Sequence, residues 1–154
     1  MKKIAITLFF VLASLGIQAQ ELTWHTDVRK ATKISQDTKK PMFLFFTGSD
    51  WCGWCIRLQK EVFKTPEFVK WAKDNVVLVE LDFPRRTPQA PEIQQQNAEL
   101  QQFFQVQGFP TVWFVNASQT GQKVNFDKLG SSGYVAGGPA VWIEGANKII
   151  MKKS

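Results

Sequence analysis

The sequence predicts an α/β domain in which a central mixed β-sheet is flanked by helices. Two continuous apolar runs, "MFLFF" (Met42 to Phe46) and "VVLVELDF" (Val76 to Phe83), are too short for helices and suit strands buried on both faces. The stretch between them carries helical apolar spacing, as a parallel crossover requires. Further on, "TVWFV" (Thr111 to Val115) and "KVNFDKL" (Lys123 to Leu129) lie close enough to form an antiparallel hairpin. The expected order is β-α-β-α-β-α-β-β-α.

Each element has its own signal. "ELTWHT" (Glu21 to Thr26) reads as a short strand. Asp27 is a good N-cap for a helix over Val28 to Lys39, where Val28, Ala31 and Ile34 recur at near-helical spacing. Lys39 and Lys40 suit its carboxyl end, and Pro41 stops it. After the first buried strand, Ile56, Leu58, Val62 and Phe63 mark a helix. Pro66 bends it, and Phe68, Val69 and Trp71 continue the apolar face. Pro84, Pro88 and Pro91 punctuate a loop before a glutamine-rich helix, Glu92 to Gln105, with Ile93, Leu100, Phe103 and Phe104 facing inward. "NASQTGQ" is the expected turn of the hairpin, and "GSSGYVAGG" leads to Pro139 at the first turn of a final helix reaching about Met151.

A chain of 154 residues, 44% hydrophobic and 21% charged, fits one globular domain. The first residues stand apart from it. Lys2 and Lys3 precede an apolar run from Ile4 to Ile17, and Gln18, Ala19 and Gln20 follow, the three zones of a secretory signal. Residues 1–19 are therefore expected to be a signal peptide cleaved after Ala19, and 20–154 an exported domain of the periplasm; retention of the signal would instead leave an amino-terminal anchor. Without Lys2 and Lys3 the formal charge falls from +6 to +4, interleaved with acids, so no basic stripe for nucleic acid is present.

The chain's two cysteines, Cys52 and Cys55, sit in "GSDWCGWCIRL" between the first buried strand and the next helix. Three uses compete. A staple closing so short a loop contributes only about 2 kcal/mol before strain. Haem attachment wants a histidine after the second cysteine, where Ile56 stands; a zinc site lacks ligands, since His25 is the lone histidine. His25 reads as a surface or packed residue. Redox chemistry fits best, because at a helix amino terminus the Cys52 thiolate is favoured and can attack a substrate disulfide, with Cys55 one turn on to resolve the mixed disulfide. Gly53 permits a partner backbone to approach, and Trp51 and Trp54 offer flat apolar contact, although core packing explains Trp51 equally well.

With "FFTGSDWCGWC", "GFPT" and this order of elements, the sequence resembles the thioredoxin superfamily over about Glu21 to Met151. It is similar to exported thioredoxin-like proteins and to the carboxy-terminal domain of the bacterial thiol:disulfide interchange protein. The resemblance implies a thioredoxin fold, a cis Pro110 facing the cysteines, and Phe109 pairing its backbone with the substrate chain. It implies no separate cofactor. Trp54 stands where cytoplasmic relatives have proline and strong oxidants often have histidine, which favours a more reducing couple. Many relatives bury an aspartate six residues before the first cysteine; here that position is Phe46. Glu80, in the adjacent strand, is a candidate replacement as proton acceptor for Cys55, the alternative being a glutamate that reaches water near a strand end.

The expected function is reduction of protein disulfides by a monomer that draws electrons from a membrane-borne thiol donor. A disulfide isomerase or oxidase would share the fold and differ in potential. A client-binding module holding partners through Trp54 and Phe109 with little turnover is the reading from another class.

Overall fold

Strand β1 (Met42–Thr47) is buried at every position and forms the axis of the sheet. The computed structural model describes residues 21–151, so the expected signal peptide lies outside the described residues. Parallel to β1 runs β2 (Val77–Asp82), with Phe45 opposite Glu80 and Thr47 opposite Asp82. On its other side β3 (Thr111–Thr120) runs antiparallel, with Phe46 opposite Thr111, and β4 (Lys123–Ser132) pairs with β3 in turn. The strand order is β2-β1-β3-β4, a mixed sheet as expected.

Because β1 alternates, it feeds two separate cores. Phe43 and Phe45 face one layer with Leu78, Val112 and Phe114. Over that layer lie α2 (Gly53–Leu58), the π-helical turn Gln59–Phe63 that continues it, α3 (Pro66–Asn75) and α5 (Gly138–Ile150). Trp142 of α5 sits at its centre, against the rings of Phe43, Phe63, Phe68 and Phe114. Met42, Leu44 and Phe46 face the other layer, with Val79, Leu81, Leu100 and Phe104. That layer is covered by α1 (Val28–Thr38) and α4 (Pro91–Phe103). Asp27 caps α1, its carboxylate accepting the amides of Arg29 and Lys30 at 2.9 and 3.2 Å.

Four expectations need correction. Phe103, expected to face inward, is 52% exposed, because Leu100 and Phe104, four residues apart, take the buried stripe. The strand expected at Glu21 to Thr26 shrinks to one bridge: His25 donates its N–H to Leu78 O (2.9 Å) and accepts from Glu80 N (2.8 Å), covering part of the outer edge of β2. The turn expected over Asn116 to Gln122 is strand almost throughout. Thr120 pairs with Lys123, leaving only Gly121 and Gln122 to turn, and Gly121 at φ 62 has the sign a two-residue hairpin wants at its first position. Ladder pairing thus overrides the weak strand propensity of Asn116, Ser118 and Gln119. The helix after the cysteines contains a wide turn, with Lys64 N bonding Gln59 O (2.9 Å), and consecutive residues Val62 and Phe63 are both buried there. No helix among the described residues is long and apolar enough to cross a membrane.

Candidate active site

At the carboxyl end of β1 the chain turns sharply toward the cysteines. Gly48 O accepts the N–H of Cys52 at 2.8 Å and that of Trp51 at 3.3 Å. A side chain at position 48 would overlap the Trp51 ring, so glycine is what lets the indole lie over this turn. Trp51 is fixed from three sides: its Nε1 donates to Phe83 O (2.8 Å), the Arg85 guanidinium lies 3.7 Å from its ring centre, and Phe109 meets it edge-on. Asp50 ties the same turn to the segment after β2, accepting the amides of Arg85, Arg86 and Thr87 at 3.0, 2.7 and 2.9 Å. Those donors, the Arg85 amide first, hold the Asp50 carboxyl down to about 2. Ser49 N adds a bond to Asp82 Oδ1 (2.8 Å).

Cys52 and Cys55 are joined by a disulfide with their Cα atoms 5.2 Å apart. Cys52 is the N-cap of α2, and its Sγ accepts the N–H of Cys55 at 3.2 Å. The two sulfurs are not equivalent. Cys52 keeps 6% of its surface exposed and Cys55 1%, so the first stands at the rim and the second behind it. Such an arrangement can exchange one disulfide with an outside thiol through the outer sulfur while shielding the inner one.

Two surfaces flank the pair. The Phe109–Pro110 peptide bond is cis, and Phe109 stacks on Phe83 with ring centres 5.1 Å apart. Gly133 comes so near that an added Cβ would stand 3.2 Å from Pro110 O. On the other flank Trp54 is 54% exposed, and its ring lies 4.9 Å from that of Tyr134. Arg57 sits over both rings, at 5.3 and 5.2 Å. Glu61 fastens the group, accepting from Tyr134 Oη (2.6 Å) and Arg57 Nε (2.7 Å), and these bonds, the tyrosine's first, lower its carboxyl below the ordinary value. Tyr134 was not singled out by the sequence; a tyrosine between Gly133 and Val135 in a glycine-rich loop carries no positional signal, and only the docking of α5 brings it here, with Trp142 Nε1 holding Gly133 O at 3.0 Å.

Comparison with known proteins places this geometry. The thioredoxin-like domain family matches residues 28–129, about two thirds of the chain. The chain belongs to that family. It is a thioredoxin-like thiol-disulfide oxidoreductase. It is similar to the disulfide bond reductase DsbH of Chlamydia pneumoniae, 37% identical over 121 residues that cover 78% of this chain and 72% of that protein. A solved DsbH oxidoreductase superposes with a TM-score of 0.77 at 30% identity, covering 96% of each chain. The oxidised carboxy-terminal domain of DsbD from Neisseria meningitidis shares the fold, with a TM-score of 0.51 at 19% identity over 82% of this chain and 98% of that one.

Within this thioredoxin-like frame the strand positions near Cys55 differ from the sequence-based expectation. Phe46, six residues before Cys52, faces the opposite layer and meets Phe104 at 6.0 Å. The β1 residue facing the cysteine layer is Phe45, because period-two alternation decides the face and Phe45 shares its parity with Phe43 and Thr47. Glu80, in register with Phe45, lies on that same face and is half-buried. Burial, and then the neighbouring charge of Asp82, raises its carboxyl above the ordinary range. Among the described residues no group of three or more histidine, cysteine or acidic side chains is placed to hold a metal.

Proposed function

We propose that this oxidoreductase is exported, as the domain 20–154 freed by cleavage after Ala19, and that it reduces protein disulfides in the periplasm as a monomer. The observation that carries the reading is the unequal pair: a rim sulfur, Cys52, at the start of the helical run Gly53–Phe63, and a buried Cys55 behind it. The Cys52 thiolate, favoured by amides such as that of Cys55, attacks the client disulfide; one client sulfur leaves with the electron pair and takes a proton. Cys55 then gives its proton to Glu80, and its thiolate displaces the second client sulfur to close the Cys52–Cys55 bond. The client chain lies along Phe109 and Pro110 and against Gly53 and Trp54, while Trp51, fixed by Arg85 and Phe83, forms the wall behind it.

Reduction is favoured over oxidation by two observations. The relative at 37% identity is named a disulfide bond reductase, and Gly53 and Trp54 put no imidazole between the cysteines to stabilise the Cys52 thiolate further. A membrane-borne thiol donor restores the dithiol. Equilibration with glutathione tests the direction: a potential near that of thioredoxin, about −270 mV, is expected, and one near −120 mV would make it an oxidant. Replacing Cys55 by Ser should trap client mixed disulfides on Cys52. Client capture that survives Cys52→Ser undiminished would instead identify a binding module.

A further inference from the structure

Thr47, the last residue of β1, is fully buried, and its Oγ1 has no hydrogen-bond partner. No other buried side-chain oxygen or nitrogen among the described residues is left in that state. Its position is informative. Thr47 pairs with Asp82 on one side, and extending the β1–β3 register one step beyond Phe46 and Thr111 sets it opposite Pro110. It shares parity with Phe43 and Phe45, whose rings belong to the layer that holds both cysteines. The residue after it, Gly48, accepts the Cys52 amide. The register therefore puts Thr47 in the strand floor of the layer that holds the disulfide, between the cis proline and β2.

A buried hydroxyl without a partner costs free energy, and native proteins leave few of them. The state described is the oxidised one, in which both sulfurs are bonded to each other and are weak acceptors. Reduction changes that. Cys52 Sγ already takes the Cys55 amide and stands at the rim, whereas Cys55 is sealed from water, so its thiolate needs a donor from within the fold. We propose that Thr47 is that donor: its Oγ1–H bonds to Cys55 Sγ in the dithiol and mixed-disulfide states and stabilises the resolving thiolate.

The inference rests on Cys55 being the resolving thiol. In that step the Cys55 proton passes to Glu80, the Sγ electron pair forms the bond to Cys52 Sγ, and the client–Cys52 bond breaks, its electron pair leaving on the client sulfur. Thr47 keeps its own proton and gives only a hydrogen bond. The ionisable groups around this floor are Glu80 and Asp82 of β2; Arg57, Glu61 and Tyr134 stand on the outer flank of α2, bonded to one another. Arg85 lies over Trp51.

The near-isosteric Thr47→Val and the hydroxyl-keeping Thr47→Ser separate this role from packing. In glutathione equilibrium T47V is expected to shift about tenfold toward the disulfide, a potential about 30 mV more negative, because only the reduced form loses a bond. Its single-turnover mixed disulfide should resolve about tenfold more slowly, and T47S should remain within about twofold of the wild type in both assays. Wild-type values for T47V, or equal losses in T47V and T47S, overturn the proposal. If T47V does not fold, Thr47→Ala is read in the same assays against T47S. A wild-type protein that reduces no disulfide and whose C55S variant traps no client would sink the functional reading as well, whereas an active wild type beside an unaltered T47V removes the Thr47 assignment alone.

Discussion

Glu80 is held where water reaches it poorly, and its folded pKa stands above the ordinary 4.5. In the window between the two values the folded state binds more protons than the unfolded one, so stability falls as pH rises through that window. Below the ordinary value the carboxyl is protonated in both states and the difference is gone. Glu80→Gln should therefore melt higher than the wild type at neutral pH, with the gap closing as pH falls toward about 4. A gap that stays constant would exclude burial as its cause. The same variant should slow disulfide reduction about tenfold or more, and an unaltered pH profile would remove Glu80 from the chemistry. Gly48 is constrained in a different way: Gly48→Ala drives a methyl into the Trp51 ring, an overpacking worth about 1–3 kcal/mol in denaturant midpoints. Neither residue's role was fully legible. Glu80 could be picked out by its place in an apolar run, but the parity that turns Phe45 rather than Phe46 toward the cysteines depends on how the Gly48 to Trp51 turn spans the gap, which sequence spacing does not reveal.

Among the elements, the turn before Cys52 and the segment after β2 act together through Asp50. A carboxyl held at about 2, below its ordinary 3.8, contributes stability that is complete above the ordinary value and lost as pH falls through the folded one. The amide resonances of Arg85, Arg86 and Thr87 should accordingly stay fixed down to about pH 4 and move together toward pH 2; independent movement would mean that Asp50 does not hold them. The hairpin was underestimated for a reason of the same local kind. A ladder of cross-strand bonds kept Asn116 to Thr120 extended, and a single glycine sufficed to turn the chain. Gly121→Ala should cost about 1 kcal/mol, read from thermal unfolding, because φ 62 is unfavourable to any side chain. Strand β4 leaves the sheet with an open edge, and Lys123, Asp127 and Lys128 place charge along it against pairing with another chain.

For the molecule as a whole, the signals that were legible are those that survive without tertiary knowledge: apolar runs long enough for one buried strand, proline and glycine at element ends, and a cysteine pair at a strand-to-helix junction. What stayed hidden needed two distant segments to meet, as Tyr134 meets Trp54 and Arg57. Trp142 joins such segments at the centre of the cysteine layer, and Trp142→Ala should cost about 3–5 kcal/mol of global stability. A small loss by chemical denaturation would mean that α5 is docked chiefly by other contacts.

The sheet also works as a partition. Cys52, Cys55 and Tyr134 pack on one side, and of the groups around the disulfide only Phe83 and Phe109 reach the core under α1 and α4. Phe109 borders both cores, beside Pro110, and is the seam between them. Heat tolerance and electron affinity are thus separately adjustable properties of this scaffold: replacements behind the sheet can harden the protein without retuning its sulfurs, as long as they leave that seam alone.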